Sequence, residues 1–505
     1  MRLKFASLGR PGRLVACVLS ITLSTAGLAY AALPNNTIIF GNKAYDLSLL
    51  NDASLVNEIL AAFISNNNQF VYKSVTGSLT DAMGNPISAA GIPAVTYKDA
   101  GKVVTNYAGG DGSPLSGAAV WPHGGGLPAD VGASHFGMLV GGDESPPFTG
   151  AWIRPHPGPF VWGQIESQPG SYNWTSIDAH VRYWQSHRLA VLATVWPYAY
   201  WDQLSGNAGR PRAQDSFSPV LGDLRYSPCN MDAYATWLGA LVERYDGDGI
   251  NDMPGLLYPI RHWEILNEPE MQTPELTFFQ EGSDKYLEIL RVSYNSIKSA
   301  DPSAVVLTGG QAGMQASFAD YWRPVLQGAS GLFDAGNIHS IRSSDLYFAP
   351  EYRGFLDSLG YAGKPFWVTE AQAGRMVPGG SSPSADELAR LAFTGTAGAL
   401  AYGASIVFDV GQNAPNSAGA AATTAFRLLA NNAGNFTRAD WAGVSSVRFE
   451  MPDGRRVYAL WNSARLPTAV TGAVTVITYA GAQSQQDSTG VIASVPSLVV
   501  VDPDR

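Results

Sequence analysis

Two apolar segments of the chain end in carboxylic acids. The first segment, HWEILNEPE, contains three glutamates, and the second, PFWVTEAQ, contains Glu370. The glutamates of the first segment are Glu264, Glu268 and Glu270. Burying a carboxylate is costly unless it is hydrogen-bonded or paired, so acids in such segments should have a partner or a function. Two carboxyl groups held close together push their pKa values apart, which lets one stay protonated near neutral pH.

The elements that would position these acids lie in the middle of the chain. Strands are predicted at 135–142, 151–157, 189–197, 261–269, 304–310, 337–341, 365–372 and 405–411. Helices are predicted at 176–187, 232–245, 285–300, 318–326 and 385–402. Eight strands with intervening helices indicate an α/β fold, a (β/α)₈ TIM barrel. The segment between the first two strands is too short for a packing helix, so either that helix is missing or the first strand is misplaced.

In such a barrel, catalytic residues lie at the C-terminal ends of the strands, where the loops open. Glu268 ends the fourth predicted strand and Glu370 ends the seventh. Three βα repeats of ordinary length separate the two residues. That spacing can bring both carboxylates to the same mouth of the barrel.

Three motifs in this region resemble the clan A glycoside hydrolases. WEILNEP at 263–269 is similar to the strand-four signature of that clan, and WVTE at 367–370 is similar to its strand-seven segment. FVWGQIESQPGSYNW at 160–174 is similar to the motif after strand two in families 39, 42 and 5. The resemblance spans residues 135–430, and it rests on the pairing of Asn-Glu-Pro with a second glutamate at this distance.

The resemblance implies that Glu268 is the acid/base and Glu370 the nucleophile of a retaining glycosidase. Retention needs a protonated carboxyl that donates to the leaving oxygen and a carboxylate that attacks the anomeric carbon, about 5 to 5.5 Å apart. We expect no cofactor and no metal, since the sequence has no metal-ligand cluster, nucleophilic serine elbow or phosphate loop. The alternative is that the two acids form buried ion pairs in an ordinary barrel.

The resemblance also indicates residues around the two acids. Asn267 would hydrogen-bond the sugar 2-hydroxyl, unless it only forms the turn before the proline. Arg154, at the end of strand two, would hold Glu370 ionised, with a structural arginine as the alternative. His339 and Tyr347 are candidates for the polar group that orients the nucleophile, although a buried histidine is more often structural.

Aromatic residues near the strand ends suit a carbohydrate, whose C–H faces stack on rings. The run VWPYAYW at 195–201, with Trp196, is the best candidate for a sugar subsite, and packing against the barrel is the alternative. One departure from the clan concerns strand eight. The clan usually carries a tryptophan there, but this chain has Phe408, Asp409 and Val410.

The remaining acids have other expected roles. Glu264 should point into the barrel on the same face as Glu268, by strand alternation, and needs a buried partner such as Arg154. Glu270 lies past the strand and is expected to be a solvated loop acid. Glu166 is expected to brace its own loop.

The first 31 residues are typical of a signal peptide. They combine a basic start without acids, an apolar run from Leu14 to Leu28 and small residues up to a cleavage site near Ala31. We therefore expect secretion, extracellular or periplasmic. Cys17 lies near the start of the apolar run and not after it, which disfavours lipid attachment, although association with the cell surface stays an alternative. Cleavage would leave Cys229 as the single cysteine, so no disulfide could form within the chain.

Composition limits the class of partner. The chain has 505 residues, 46% of them hydrophobic, which is enough for a large core. The net charge is −10, and loss of four basic residues with the signal peptide would make it −14. An acidic chain without a basic cluster argues against nucleic acid as a partner. The oligomeric state is not indicated.

The composition changes along the chain predict four regions. They are a signal peptide at 1–31, an N-terminal extension with a Gly-rich linker at 32–130, a catalytic barrel at 131–435 and a small β-sandwich at 436–505. Within the N-terminal extension, a strand is predicted at 37–40 and a helical run at 51–64.

These patterns favour a secreted retaining glycosidase that acts on a β-linked glycan. A surface glycan-binding protein whose barrel has lost activity is a second reading, and a structural surface protein without a cleft is a third. The intact pair Glu268 and Glu370 favours the enzyme, because a pure binder has no need of two closely spaced acids.

Overall fold

The computed structural model of the chain describes residues 37–40, 43–46, 71–73, 79–81, 86, 95–99, 102–107, 127–141, 148–341, 346–374, 383–410 and 417–503. The expected signal peptide, the helical run expected at 51–64 and nearly all of the expected Gly-rich linker lie outside the described residues. The chain divides into two compact units, one holding the N-terminal sheet and the other holding the barrel.

The N-terminal part forms a six-stranded sheet. Its strands are β1 (Thr37–Phe40), β2 (Lys43–Asp46), β3 (Val71–Lys73), β4 (Leu79–Asp81), β5 (Val95–Asp99) and β6 (Lys102–Tyr107). Their order is β4-β3-β1-β2-β5-β6. All neighbours are antiparallel except β2 and β5, which are parallel. The strand expected at Thr37–Phe40 is present as β1.

The middle of the chain holds eight barrel strands and two short hairpins. In chain order the strands are β7 (Phe136–Val140), β8 (Trp152–Pro155), β9 (Glu166–Gln168), β10 (Ser171–Tyr172), β11 (Ala190–Val195), β12 (His262–Ile265), β13 (Gln272–Thr273), β14 (Leu276–Thr277), β15 (Val305–Leu307), β16 (Gly336–Ile341), β17 (Phe366–Gln372) and β18 (Ala404–Asp409). The hairpins are β9–β10 and β13–β14. All eight barrel strands fall within the predicted segments to within one residue, so that prediction is confirmed.

The eight barrel strands form a parallel sheet in the order β15-β12-β11-β8-β7-β18-β17-β16. Parallel bridges from Leu307 to Ala335 and from Gln311 to Ile338 join the two ends of this sheet. The sheet therefore closes on itself, as expected for a (β/α)₈ barrel.

Helices lie between most of the barrel strands. They are α1 (Trp162–Ile165), α2 (Thr175–Ser186), α3 (Tyr200–Asn207), α4 (Ser218–Leu221), α5 (Met231–Glu243), α6 (Ser283–Ala300), α7 (Ala316–Gly328), α8 (Ala349–Ser358), α9 (Ala385–Ala401) and α10 (Ser417–Ala433). The five predicted helices are present. Five further helices were not predicted from the sequence: the short α1, α3 and α4, then α8, whose APEYRG start contains proline and glycine, and α10, whose first turns consist largely of alanine, glycine and threonine.

The connection between β7 and β8 contains no helix in its described residues, 141 and 148–150. β7 pairs with both β8 and β18, so the first strand was correctly placed. The other explanation, a misplaced first strand, is therefore wrong.

The barrel interior is layered from apolar to polar. Its floor is an apolar cluster that includes Trp152, Leu192, Trp367 and Phe408, all without exposed surface or nearly so. The Trp152 and Trp367 rings meet edge to face with centroids 5.2 Å apart. Two residues further along the strands, the same inward face carries polar side chains, because alternate residues of a strand share a face. These polar residues are Arg154, Thr194, Glu264 and Thr369.

The C-terminal part is antiparallel, as expected. Its strands are β19 (Arg438–Gly443), β20 (Ser446–Glu450), β21 (Arg456–Leu460), β22 (Ala464–Arg465), β23 (Ala473–Thr478), β24 (Gln483–Asp487), β25 (Ile492–Ala493) and β26 (Ser497–Val501). Strands β20, β21, β26, β23 and β24 lie side by side, and β22 pairs with β25. One face of this sheet buries an apolar cluster around Tyr458, Val474 and Val499. The boundaries proposed between the regions stay a prediction.

Among the described helices, none combines the length and the apolar character needed to cross a membrane.

The floor of the barrel should dominate its stability. Trp367→Ala removes a fully buried ring that packs on Trp152 and Phe408, so we expect the free energy of unfolding to fall by about 3–5 kcal/mol. Urea denaturation would measure the change. Leu257→Ala is the matched control, because Leu257 is 64% exposed and its loss should cost less than about 0.5 kcal/mol. Equal losses in the two variants would contradict this description of the core.

Candidate active site

Five of the expected site residues meet at the C-terminal mouth of the barrel. Arg154 comes from β8, Asn267 and Glu268 follow β12, His339 lies on β16 and Glu370 lies on β17. All five side chains are buried. Residues far apart in the chain are thus held together by parallel strands whose ends share one edge of the barrel.

The two expected catalytic carboxyl groups are close together. Oxygen atoms of Glu268 and Glu370 and a nitrogen of His339 all lie within 4.8 Å of one another. Arg154 Nη1 donates to Glu370 Oε1 at 2.8 Å, and His339 Nδ1 lies 2.8 Å from Glu268 Oε1. The separation suits a retaining glycosidase, in which the carboxyl groups are about 5–5.5 Å apart.

The surroundings of the two carboxyl groups differ. Burial raises the pKa of Glu268 to about 7, with the Arg154 charge opposing the shift and the Glu264 charge adding to it. Burial also raises the pKa of Glu370, but Arg154 opposes that shift through a direct hydrogen bond. Glu268 can therefore hold a proton near neutral pH, while the salt bridge favours the ionised form of Glu370.

Glu370 reaches the site because β17 contains a register shift. β16 and β17 pair regularly up to Ile338 and Val368, and then His339 pairs with Glu370, which leaves Thr369 as an extra residue. A bulge of this kind bends a strand and re-aims a side chain, and such bulges are frequent beside active sites. Both Thr369 and Glu370 therefore contribute to the interior, although simple alternation would send them to opposite faces.

Glu268 reaches the site through an unusual turn. β12 ends at Ile265, and the next residues include Leu266 at φ 63° and Glu268 at φ 39°. Positive φ is uncommon for residues other than glycine, and such strain is concentrated at functional sites. Glu268 is therefore not on the strand, and strand alternation from Glu264 is the wrong reason for its position. The carboxyl group nevertheless lies where it was expected.

The expected partnership of Glu264 with Arg154 is present. Arg154 Nε donates to Glu264 Oε2 at 2.7 Å, and Arg154 Nη2 donates to Glu264 Oε1 at 3.1 Å. Arg154 Nη2 also donates to Asn267 Oδ1 at 2.5 Å. This contact turns the amide so that Asn267 Nδ2, which has no hydrogen-bond partner among the described residues, can donate to a ligand.

His339 and Tyr347 were expected to orient the nucleophile, and neither makes that contact. His339 hydrogen-bonds the Glu268 carboxyl group, whereas its Nδ1 is 3.7 Å from Glu370 Oε1, so it orients the acid and not the nucleophile. The Tyr347 hydroxyl interacts with Thr396 and lies near Asp409. Among the described residues it makes no hydrogen bond with Glu370, so its expected role on the nucleophile is not supported by the geometry.

Trp196 is a further correction. The ring has no exposed surface, and it packs against His156 and Phe278 with centroids 5.7 and 5.6 Å away. It cannot stack on a sugar in this conformation, so packing, the alternative reading, is the one that the structure supports. Within the run at 195–201, Tyr200 is 56% exposed at the start of α3, just beyond β11.

The prediction for Glu270 is wrong, and the prediction for Glu166 agrees with its contacts. Glu270 is not a solvated acid: its Oε1 accepts from the backbone N–H of Ala312 at 2.6 Å, and burial raises its pKa to about 8. Glu166 braces its loop as expected, since it accepts from Trp162 Nε1 and from the Gly170 N–H, both at 2.6 Å.

Glu268, His339 and Glu370 are also close enough to share a cation. Arg154, however, holds a positive charge 2.8 Å from Glu370, and His339 Nδ1 is already used by Glu268. The cluster therefore suits proton transfer better than metal binding. The described residues include a second group of acids close enough together to share a cation. Its members lie in a loop and accept hydrogen bonds from backbone N–H groups: Asp246, Asp248 and Asp252.

Three polar residues below the site were not predicted from the sequence. Thr194 and Asn337 both hydrogen-bond Glu264, and Thr369 hydrogen-bonds Asn337. Each is an inward polar residue on a mostly apolar strand, and that pattern could have identified them.

Comparison with known proteins finds similarity in solved structures alone. No family model and no curated protein matches the chain. A glucosidase from Croceicoccus marinus is similar with a TM-score of 0.47 and 14% identity over 70% of this chain and 89% of the glucosidase. A family 39 glycoside hydrolase from Bacteroides cellulosilyticus WH2 is similar with a TM-score of 0.46 and 13% identity over 86% of this chain and 87% of that one.

A family 39 β-xylosidase from Caulobacter crescentus is also similar, with a TM-score of 0.45 and 14% identity over 70% of this chain and 89% of the xylosidase. At these identities and TM-scores the similarities carry no conclusion about activity. Function has to be inferred from the geometry of the carboxyl groups.

The buried ion pair below the site should be sensitive to loss of one partner. Glu264→Gln leaves Arg154 with less compensation in a fully buried position, so we expect the free energy of unfolding to fall by about 3–5 kcal/mol. The matched control is Asp386→Asn, which breaks an exposed pair with Arg390 and should cost about 0.5 kcal/mol or less. Urea denaturation of both variants would test this, and a stable Glu264→Gln variant would contradict it.

Proposed function

We propose that the chain is a retaining glycoside hydrolase that cleaves β-glycosidic bonds of a polysaccharide or oligosaccharide. The observation that carries the proposal is the pair Glu268 and Glu370, whose oxygens lie within 4.8 Å and whose surroundings differ in charge. Two carboxyl groups that are chemically alike but held in different protonation states are what double displacement requires.

In the first step, Glu370 attacks the anomeric carbon and forms a glycosyl ester. The bond from that carbon to the leaving oxygen breaks, and the leaving oxygen takes the proton of Glu268. In the second step, Glu268 accepts a proton from water as the water oxygen attacks the anomeric carbon, and Glu370 leaves as a carboxylate. Arg154 holds Glu370 ionised, and Asn267 Nδ2 is placed to donate to a sugar hydroxyl.

We also propose that the protein is secreted, since residues 1–31 have the three parts of a signal peptide. The second candidate function, a surface glycan-binding protein without activity, would use the same mouth. A binder does not need a carboxyl pair of this geometry, so the site favours the enzyme.

Replacement of each carboxyl group should separate the two roles. With an aryl glycoside that has a good leaving group, Glu370→Ala should lose nearly all turnover, on the order of 10⁴-fold or more, because the nucleophile is gone. Glu268→Ala should still form the glycosyl ester and should be rescued by azide, which needs no general base. Wild-type turnover in either variant, with folding verified by circular dichroism, would overturn the assignment. Binding of glycans without turnover by the wild type would favour the second candidate.

The pH profile should follow the two carboxyl groups. For a substrate with a poor leaving group, kcat/KM should fall as the pH rises through about 7, because Glu268 then loses the proton that it must donate. On the acidic side the rate should fall as Glu370 becomes protonated. In Glu268→Gln with an activated aryl substrate, the rate of the first step should not fall at alkaline pH. A rate that still falls would show that another group causes the alkaline decline.

A further inference from the structure

A chain of hydrogen bonds runs from the buried Glu264 carboxylate to the Glu268 carboxyl group. It passes through Asn337, Thr369 and His339, which come from two neighbouring strands, β16 and β17. Each group in this series can donate few hydrogens. The donor and the acceptor of each hydrogen bond can therefore be derived in turn, starting from Glu264.

The first bond is fixed by charge. Glu264 accepts from Arg154 Nε at 2.7 Å and from Thr194 Oγ1 at 2.5 Å, and an ionised carboxylate can only accept. Asn337 therefore has to present its Nδ2 amide to Glu264, since the carbonyl oxygen would be repelled there. The Oδ1 of Asn337 consequently faces Thr369.

The second bond follows because a hydroxyl has a single proton. Thr369 Oγ1 is 2.7 Å from Asn337 Oδ1 and 3.4 Å from a Glu264 oxygen, and both of these atoms are acceptors. Its proton goes to Asn337, which is closer. Towards His339 Nε2, at 2.9 Å, Thr369 can therefore only accept, so Nε2 must carry a hydrogen.

The third bond follows from the neutrality of His339. The ring is fully buried, and burial lowers its pKa to about 4, so it carries one ring proton at neutral pH. With that proton on Nε2, Nδ1 is a bare acceptor 2.8 Å from Glu268 Oε1. If Glu268 were ionised, a lone pair of its Oε1 would face the lone pair of His339 Nδ1, and the two would repel each other.

We infer that Asn337, Thr369 and His339 form a polarity relay by which the buried charge of Glu264 keeps Glu268 in its protonated form. The inference rests on the proposed function and deepens it, because it explains how Glu268 is kept protonated before the first step and is protonated again after the second. Asn337 and Thr369 act through His339, so they are positioning residues and do not touch the substrate.

Several charged or titratable groups face Glu268, and one of them, His339, belongs to the relay. They are Arg154 from β8, Glu264 from β12, Glu270 from the loop after β12, His339 from β16 and Glu370 from β17. Arg154 favours the ionised form of Glu268, so the relay and the burial have to outweigh it.

Gly310 shows how closely the relay is enclosed. A Cβ atom at this position would lie 2.0 Å from His339 Nε2, so only a glycine leaves room for the ring here.

The ring proton of His339 can be observed without turnover. In the nitrogen-15-labelled full-length protein, the imidazole signals, assigned with His339→Gln, should show a hydrogen on Nε2 and a bare Nδ1. Thr369→Ser should keep this tautomer because it retains the hydroxyl. Thr369→Val should shift hydrogen to Nδ1, since Nε2 loses its acceptor. A hydrogen on Nδ1 in the wild type would overturn the inference.

The pH profile gives the second readout. In Thr369→Val, a hydrogen on Nδ1 would stabilise the Glu268 carboxylate, so the alkaline limb of kcat/KM should move to lower pH by about one unit or more. Thr369→Ser should keep the wild-type limb. A Thr369→Val limb that stays in place or moves to higher pH would overturn the relay. An inactive wild type with hydrogen on Nε2 would overturn the proposed hydrolase and leave the direction of the relay standing.

Discussion

The guanidinium of Arg154 is the group on which the rest of the site depends. It has no exposed surface and donates hydrogen bonds to Glu264, Asn267 and Glu370. A buried cation is tolerated only if charges and hydrogen bonds replace its hydration. Two segments of the barrel, 264–267 and β17, must therefore supply oxygen atoms at one point, and the same contacts that neutralise Arg154 position a carboxylate and an amide at the mouth.

The layering of the barrel gives this polar cluster its character. The apolar floor around Trp152 and Trp367 excludes water from below, and in such surroundings hydrogen bonds and charges act strongly. Two glutamates of identical chemistry can then differ: Glu370 faces a cation at 2.8 Å, and Glu268 faces a neutral histidine at 2.8 Å. The difference is made by neighbours and not by the residues themselves.

Much of the architecture could be predicted from local patterns. All eight barrel strands were found because short apolar runs bounded by turn residues are a strong signal. Glu268 and Glu370 were found because acids at the ends of such runs are exceptional. The helices α8 and α10 were missed because α8 begins with proline and glycine, and the first turns of α10 consist largely of alanine, glycine and threonine. Glu270 was misjudged because exposure of a loop residue depends on what the neighbouring loop covers, here the segment with Ala312.

The sequence by itself determined the number and order of the strands, the positions of the two acids along them and the need for a partner to Glu264, because each of these follows from local composition and period. Tertiary structure alone decided that Glu370 turns inward at a bulge, that Glu268 is turned inward at positive φ, and that His339 contacts the acid. It also decided that Trp196 is enclosed. These features depend on contacts between strands far apart in the chain, and no local pattern encodes the atoms that meet across a closed barrel.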